Sequence, residues 1–400
     1  MRLRLSCLSC ASLICLLGAA PARAARAPDP LRAAIEHAEL AGELDSAGAA
    51  RYREIDRLAR GVLARVRGVR RAELRGVLAD LRDIAARGHL TASRMPAAFL
   101  VLRRNAEWWA VHGIPPAGGS PGEKDAIGRI CRPFAAASRV VFPGSQLVFQ
   151  YYPGHGLALQ PLATFATANA LWARADARGD AALVALLDEL IGLASRRARG
   201  LLTWEYFFPF GGGLPPWTSA ISQAVAIQAL ARAGVRLGRA DYLDVAAAAL
   251  DTLATPAPAG VLVGLGRDGH WFANYSFAPA LRVLNVHMFT LAALFDYHEA
   301  TRDERAHTLY RDGLRAARRR IARYDTGSWS RYASPGALAD LNYHVANRDA
   351  VRGVCKRSGE AAICRAAERF TAYLERRCPR VRSTEGPASA GPSASNRRPR

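Results

Sequence analysis

Residues 281–297 read LRVLNVHMFTLAALFDY, and residues 303–323 read DERAHTLYRDGLRAARRRIAR. The first stretch is apolar on almost every side of a helix, whereas the second carries arginine and aspartate along one face. A helix that is apolar all round must be buried, and an amphipathic partner is what covers it. The same alternation recurs earlier in the chain. Helical periods run over residues 160–175 and 181–199, then 217–234 and 240–254, then 281–299 and 303–323, with a last helix near 360–377. The inner members are Leu162–Trp172, Ser219–Leu230 and Leu281–Phe295. Two concentric layers follow, so the fold class expected is mainly α, an (α/α) toroid or barrel of helix pairs. No self-similarity in the sequence is strong enough to define a repeat.

Other segments surround or interrupt these pairs. Residues 31–112 read as consecutive amphipathic helices, with Ile55, Leu58, Val62, Val66 and Val69 at helical spacing. A Gly/Pro-rich break at 113–122 precedes a β-like stretch around Arg139–Tyr152. Residues 201–210 are dense in aromatics and end in Gly211-Gly212-Gly213. Val261–Phe277 alternates around Arg267-Asp268-Gly269, a hairpin turn. A formal GxGxxG at Gly264, Gly266 and Gly269 lies inside that hairpin and opens no helix, which argues against a dinucleotide site. The expected division is an N-terminal helical region over 25–112, a linker or β-like segment over 113–144, the barrel over 145–377 and a disordered basic tail over 378–400.

The first 24 residues read as a secretory signal peptide: Arg2 and Arg4, an apolar run from Leu5 to about Ala20, and small residues ending at Ala24. The run is too short to span a bilayer and no later stretch qualifies, so an exported chain with no stable membrane span is expected. Cleavage there leaves Cys131, Cys355, Cys364 and Cys378. Export permits disulfides, and Cys355 with Cys364, or Cys364 with Cys378, could staple the C-terminal helix.

The formal net charge of +21 on 400 residues is almost wholly arginine, Lys124 and Lys356 being the two lysines. These arginines are scattered over amphipathic helices rather than gathered in a patch with interleaved aromatics, which argues against nucleic acid as the partner. Outside a cell the natural polyanion is an acidic polysaccharide, whose carboxylates match guanidinium forks. Nine histidines show no ligand spacing, so no metal and no cofactor is expected.

The polar groups able to do chemistry lie in loops after inner helices: Asn274-Tyr275, the Tyr324–Ser328 loop with Tyr332, and Asn342-Tyr343-His344. Tyrosines from separate loops of a toroid can meet at one mouth.

Four blocks carry a family resemblance. They are PPWTSAISQAVAIQALARA at 215–233, YSFAPALRVLNVHMFTLAALFDY at 275–297, LYRDGLRAARRRIARYDTGSWSRY at 309–332 and DLNYHVANRD at 340–349. In order and spacing they resemble the C-terminal domain of the D-glucuronyl C5-epimerases over residues 145–377. The resemblance implies an (α/α) barrel that converts D-glucuronate to L-iduronate in heparosan- or heparan-like polymers, with functional tyrosines at Tyr275, Tyr332 and Tyr343. Epimerisation at C5 removes a proton beside a carboxylate and returns one to the opposite face, so it needs a base, an acid and a cation or donors for the carboxylate. The family's acidic residue before the first tyrosine falls at Asn274, and an amide cannot act as a base. A tyrosinate would take over, with Tyr343 the first choice. Arg282 is the candidate carboxylate clamp, His344 could orient a neighbour, and Trp217 and Gln223 are candidate substrate contacts. A lyase acting by β-elimination and an inactive polysaccharide-binding relative are the alternatives. A homodimer is left open.

Overall fold

The computed structural model describes residues 29–116 and 138–377. The expected signal peptide, the C-terminal tail, Cys131 and Cys378 lie outside those residues. Four helices come first: α1 (Pro30–Leu40), α2 (Ser46–Arg65), α3 (Gly68–Ala86) and α4 (Met95–Val111). Asp29 and Asp45 cap the first two by accepting from backbone N–H groups of Leu31 and Gly48. A three-stranded antiparallel meander follows, β1 (Arg139–Val141), β2 (Val148–Tyr152) and β3 (Gly156–Leu159). The β-like stretch of the sequence is therefore a sheet that begins within the expected linker.

Four helical pairs complete the described residues: α5 (Pro161–Arg174) with α6 (Ala177–Ile191), α7 (Ala220–Leu237) with α8 (Ala240–Ala254), α9 (Leu284–Thr301) with α10 (Glu304–Arg320), and α11 (Leu341–Ser358) with α12 (Ala361–Arg377). The first helix of each pair packs on the first helix of the next, α5 on α7, α7 on α9 and α9 on α11, while each second helix covers its own partner. This is the inner and outer layering of an (α/α) toroid. Along α7, Ala220, Ala224, Ile227, Ala231 and also Ala226, Ala229, Leu230 and Ala233 are fully buried, so no face is left for solvent until the last turn, where Val235 is exposed. Along α10 the buried set narrows to one stripe, Ala306, Leu309, Tyr310, Gly313, Ala316 and Ala317, and the arginines lie outside it. Short two-stranded ribbons punctuate the pairs: β4 (Ser195–Arg196) with β5 (Leu202–Thr203), β6 (Leu262–Gly264) with β7 (His270–Phe272), and β8 (Arg282–Val283) with β9 (Ala333–Ser334). The β6–β7 ribbon is the expected hairpin, and it holds the three glycines of the GxGxxG pattern.

Helix α11 departs from the sequence reading, which placed residues 342–344 in a loop. Its buried positions include His344, Asn347 and Arg348, so the polar content hides the helical period. Asp340 caps it by accepting from the Tyr343 amide. Cys355 in α11 and Cys364 in α12 form a disulfide, one of the two pairings the sequence leaves open.

One contact recurs in all four pairs. The fourth residue of each inner helix accepts a hydrogen bond from a backbone N–H of the preceding extended segment. Thr164 accepts from Val148 at 3.1 Å, Gln223 from Trp204 at 3.3 Å, His287 from Phe272 at 3.3 Å and His344 from Ser330 at 3.2 Å. The toroid is thus built from a repeated unit whose key position tolerates threonine, glutamine or histidine, because each offers an acceptor at that reach.

The N-terminal helices hold the meander from outside. Glu73 of α3, buried, accepts from the Tyr151 hydroxyl at 2.9 Å and from the amides of Gly154 and Gly156 at 2.9 and 3.1 Å. Gly76 lets the turn come this close, since a Cβ there would sit 1.9 Å from the Gly154 carbonyl oxygen. Farther along, the fully buried Glu205 carboxylate is held by a bidentate fork from Arg94 at 2.7 and 3.1 Å and by Arg197 at 2.7 Å. Three charges so arranged satisfy each other where water is excluded.

Candidate active site

The N-terminal ends of the inner helices meet the extended segments before them through the recurrent bond, and each unit repeats two further positions beside it. One lies two residues after the bonded N–H, giving Gln150, Tyr206, Asn274 and Tyr332 in the four units. The other is the third residue of the inner helix, Ala163, Ser222, Val286 and Tyr343. In the second unit the two touch, Tyr206 hydroxyl to Ser222 hydroxyl at 2.8 Å. In the fourth they touch again, with the Tyr332 and Tyr343 rings 4.4 Å apart.

Tyr275 joins this pair from the third unit. Its phenol acts electrostatically on those of Tyr332 and Tyr343, so three phenols from three segments converge. Tyr275 and Tyr332 are half-buried, and Tyr343 is 42% exposed. Burial raises the Tyr332 phenol far above its ordinary value, and the neighbouring Tyr275 and Tyr343 raise it further. Burial also raises Tyr275, opposed by hydrogen bonds to its oxygen from Tyr332 and Asn274. Asn274 is oriented in turn by the Ser219 hydroxyl, which donates to its Oδ1 at 3.1 Å.

A second group of phenols faces the first. Tyr152, at the end of β2, is electrostatically coupled to Tyr275, Tyr343 and Arg139, and burial pushes it up to about 12. Its hydroxyl accepts from Gln160 at 3.2 Å, and Gln160 accepts from Tyr206 at 2.7 Å. Tyr206 is raised by burial. The Arg139 guanidinium, beside Tyr152 and Tyr206, is lowered by desolvation despite the two phenols. An aromatic wall backs the cluster: Trp217 stacks on Tyr206 at 4.1 Å and meets Tyr275 edge-on at 5.6 Å, with Phe210 and Phe277 alongside.

Several residues singled out in the sequence do different work. His344 is fully buried, stacked on Trp329 at 3.6 Å, with Nδ1 accepting from Ser330 and Nε2 donating to the Phe370 carbonyl at 3.0 Å. Both ring nitrogens are committed to the fold, so it meets no substrate. Gln223 is also fully buried and clasps Trp204 and Thr218. Trp217 contributes a ring to the wall, and its indole N–H is spent on the Phe208 carbonyl at 2.8 Å. Arg282 stands beside Tyr324, which donates to its backbone carbonyl, and its buried Nε has no partner. The guanidinium coupled to the phenols is instead that of Arg139. Asn274 lies in the cluster, where the sequence placed it.

Sequence reasoning missed Arg139, Tyr152, Gln160, Tyr206, Ser219 and Ser222. A usable signal existed: a tyrosine or asparagine 12 to 17 residues before the fourth residue of the inner helix, which plugs each unit by accepting the recurrent bond, as in Tyr206/Gln223, Asn274/His287 and Tyr332/His344.

Residues 200–372 match the family described as D-glucuronyl C5-epimerase C-terminus. An uncharacterised protein of Methanocaldococcus jannaschii is 26% identical over 153 residues, covering 37% of this chain and 50% of that protein. The D-glucuronyl C5-epimerase of Caenorhabditis elegans is 26% identical over 180 residues, covering 40% of this chain and 29% of that enzyme. The chain thus spans half or less of these relatives. Among solved structures, a D-mannose isomerase aligns with a TM-score of 0.43 at 13% identity, over 59% of this chain and 64% of that one. A sugar epimerase from a ruminal bacterium aligns with a TM-score of 0.38 at 11% identity, over 55% of this chain and 59% of that one.

Proposed function

We propose that the protein is a carbohydrate epimerase that inverts C5 of glucuronate residues in an acidic polysaccharide, a reading supported by the match of residues 200–372 to the D-glucuronyl C5-epimerase C-terminus. The observation that carries this reading is the convergence of Tyr275, Tyr332 and Tyr343 on one another. Inversion needs an acceptor and a donor on opposite faces of C5, and a row of three linked phenols has two ends.

The polar neighbours of Tyr275 favour it, rather than Tyr343, as the base. Burial raises its phenol, and the neighbouring Tyr332 hydroxyl and Asn274 amide oppose that rise by stabilising a phenolate. Asn274 therefore supports a base instead of being one. Tyr343, exposed and set in the first turn of α11, delivers the proton to the opposite face. After one turnover Tyr275 holds the abstracted proton and Tyr343 lacks one. Transfer through the intervening Tyr332 hydroxyl restores both, so protons balance with no external reagent. The Arg139 guanidinium neutralises the uronate carboxylate as charge moves onto it in the transition state. The aromatic wall offers sugar rings an apolar face.

The Cys355–Cys364 disulfide supports the proposal that the protein is exported. The decisive experiment incubates the purified chain with heparosan and other uronate polymers in heavy water. Deuterium at C5 together with iduronate is the expected outcome. Absence of exchange on all polymers overturns the reading, while an unsaturated product absorbing in the ultraviolet would instead identify elimination by the same first step.

A further inference from the structure

At the end of the toroid away from the tyrosines, the turn between α9 and α10 brings together two histidines and a glutamate. His298 lies in the last turn of α9, Glu304 opens α10, and His307 follows one turn later. The imidazoles are stacked, 4.6 Å between centroids and 16° between planes. One ligand atom from each of the three residues falls within 4.8 Å of the others. We propose that His298, Glu304 and His307 form a binding site for a divalent transition-metal ion of the zinc class. Nine residues separate the two histidines in sequence, so ligand spacing conceals a site that the helical turn assembles.

The groups around the three side chains fit a metal. His298 Nδ1 lies 3.2 Å from the Asp303 carbonyl. A carbonyl only accepts, so Nδ1 holds the proton and the Nε2 lone pair is free, the arrangement of metal-ligating histidines. Glu304 stands 3.4 Å from His307 Nδ1 and can turn a carboxylate oxygen to the same point. Nearby cations are already paired, Arg302 with Glu299 and Arg305 with Asp303 and Asp251, which limits their repulsion of a third positive charge. Tetrahedral zinc needs its ligand atoms about 3.3 Å apart, a side-chain rotation away. Two imidazoles and one carboxylate select zinc, cobalt, nickel or copper over magnesium or calcium, which want oxygen donors. The site lies roughly 20 Å along α9 from the helix start, so the ion clamps α9 to α10 and takes no part in chemistry at the phenols.

The test uses the untagged full chain stripped with a chelator. Calorimetric titration with zinc is expected to give one ion per chain and to raise the unfolding temperature, while magnesium and calcium at the same concentration do neither. Cobalt should give a visible absorption band. His307→Gln and, separately, Glu304→Gln on the helix surface should each weaken zinc binding by about tenfold or more and cancel the thermal gain, with unchanged unfolding in chelator. Zinc binding that survives both substitutions at full affinity places the ion elsewhere and overturns the proposal, as does no binding at micromolar zinc.

Discussion

The third and fourth helical pairs are built around the same plug but present different fronts. In α9/α10, His287 stacks on Trp271 at 3.7 Å, accepts from the Phe272 amide and donates to the Gly313 carbonyl at 3.1 Å. In α11/α12, His344 stacks on Trp329 at 3.6 Å, accepts from the Ser330 amide and donates to the Phe370 carbonyl at 3.0 Å. Gly313 is what admits the first of these contacts, because a Cβ there would lie 2.6 Å from Leu291 and 3.4 Å from His287. At the front, the positions that are Asn274 and Val286 in one unit are Tyr332 and Tyr343 in the other. The plug sets where the backbone runs. The residues at the front are free to differ, and the chemistry we propose uses them.

The largest effect expected from this contrast is on catalysis. Tyr275→Phe should lower the rate of C5 exchange by about 10³-fold while polymer binding is retained, and Asn274→Ala by about tenfold, read as deuterium uptake against affinity. Equal losses in binding and exchange would return Tyr275 to a packing role.

Next come the plugs. Burial holds both imidazoles neutral, His287 down to about 3 and His344 down to about 4. Their folded values lie below that of a free imidazole, so as pH falls from about 6.5 the unfolded chain takes up protons first and stability is lost. The contribution at neutral pH, erased between about pH 6.5 and 4, is on the order of 3 kcal/mol for His344. His344→Leu, which removes that acceptor and donor, should destabilise by about 3 kcal/mol and flatten this acid limb. His344→Gln, copying the plug of the second unit, should cost less. Urea unfolding across pH tests both, and an acid limb unaltered by His344→Leu would refute the assignment.

The smallest expected effect separates the two units directly. Only α11/α12 carries a cross-link among the described residues, at Cys355–Cys364. Reducing it should cost about 2–3 kcal/mol by releasing the short loop it closes. Hydrogen exchange should then rise in α11 and α12 before it rises in α9 and α10.

How much of this was legible in the sequence follows from what each residue does. The layering could be read because inner helices such as Leu281–Phe295 are apolar all round, a signal that needs no partner to be seen. Helix α11 could not, since it buries His344 and Asn347 by hydrogen bonding rather than by hydrophobicity. The converging tyrosines were reached through the family blocks, whereas Arg139 and Tyr152 come from a sheet outside those blocks. Gln223 and His344 misled for one reason: a buried polar side chain that satisfies backbone groups looks, in sequence, like one waiting for a ligand.

The grip of Glu73 on Tyr151, Gly154 and Gly156 has a practical corollary. Tyr152 lies next to that turn, so an excised toroid starting near residue 145 would keep its helices yet lose the brace that holds the end of β2, and Tyr152 with it. Anyone trimming the protein to a minimal catalyst, or grafting its barrel into another chain, would have to carry α3 along.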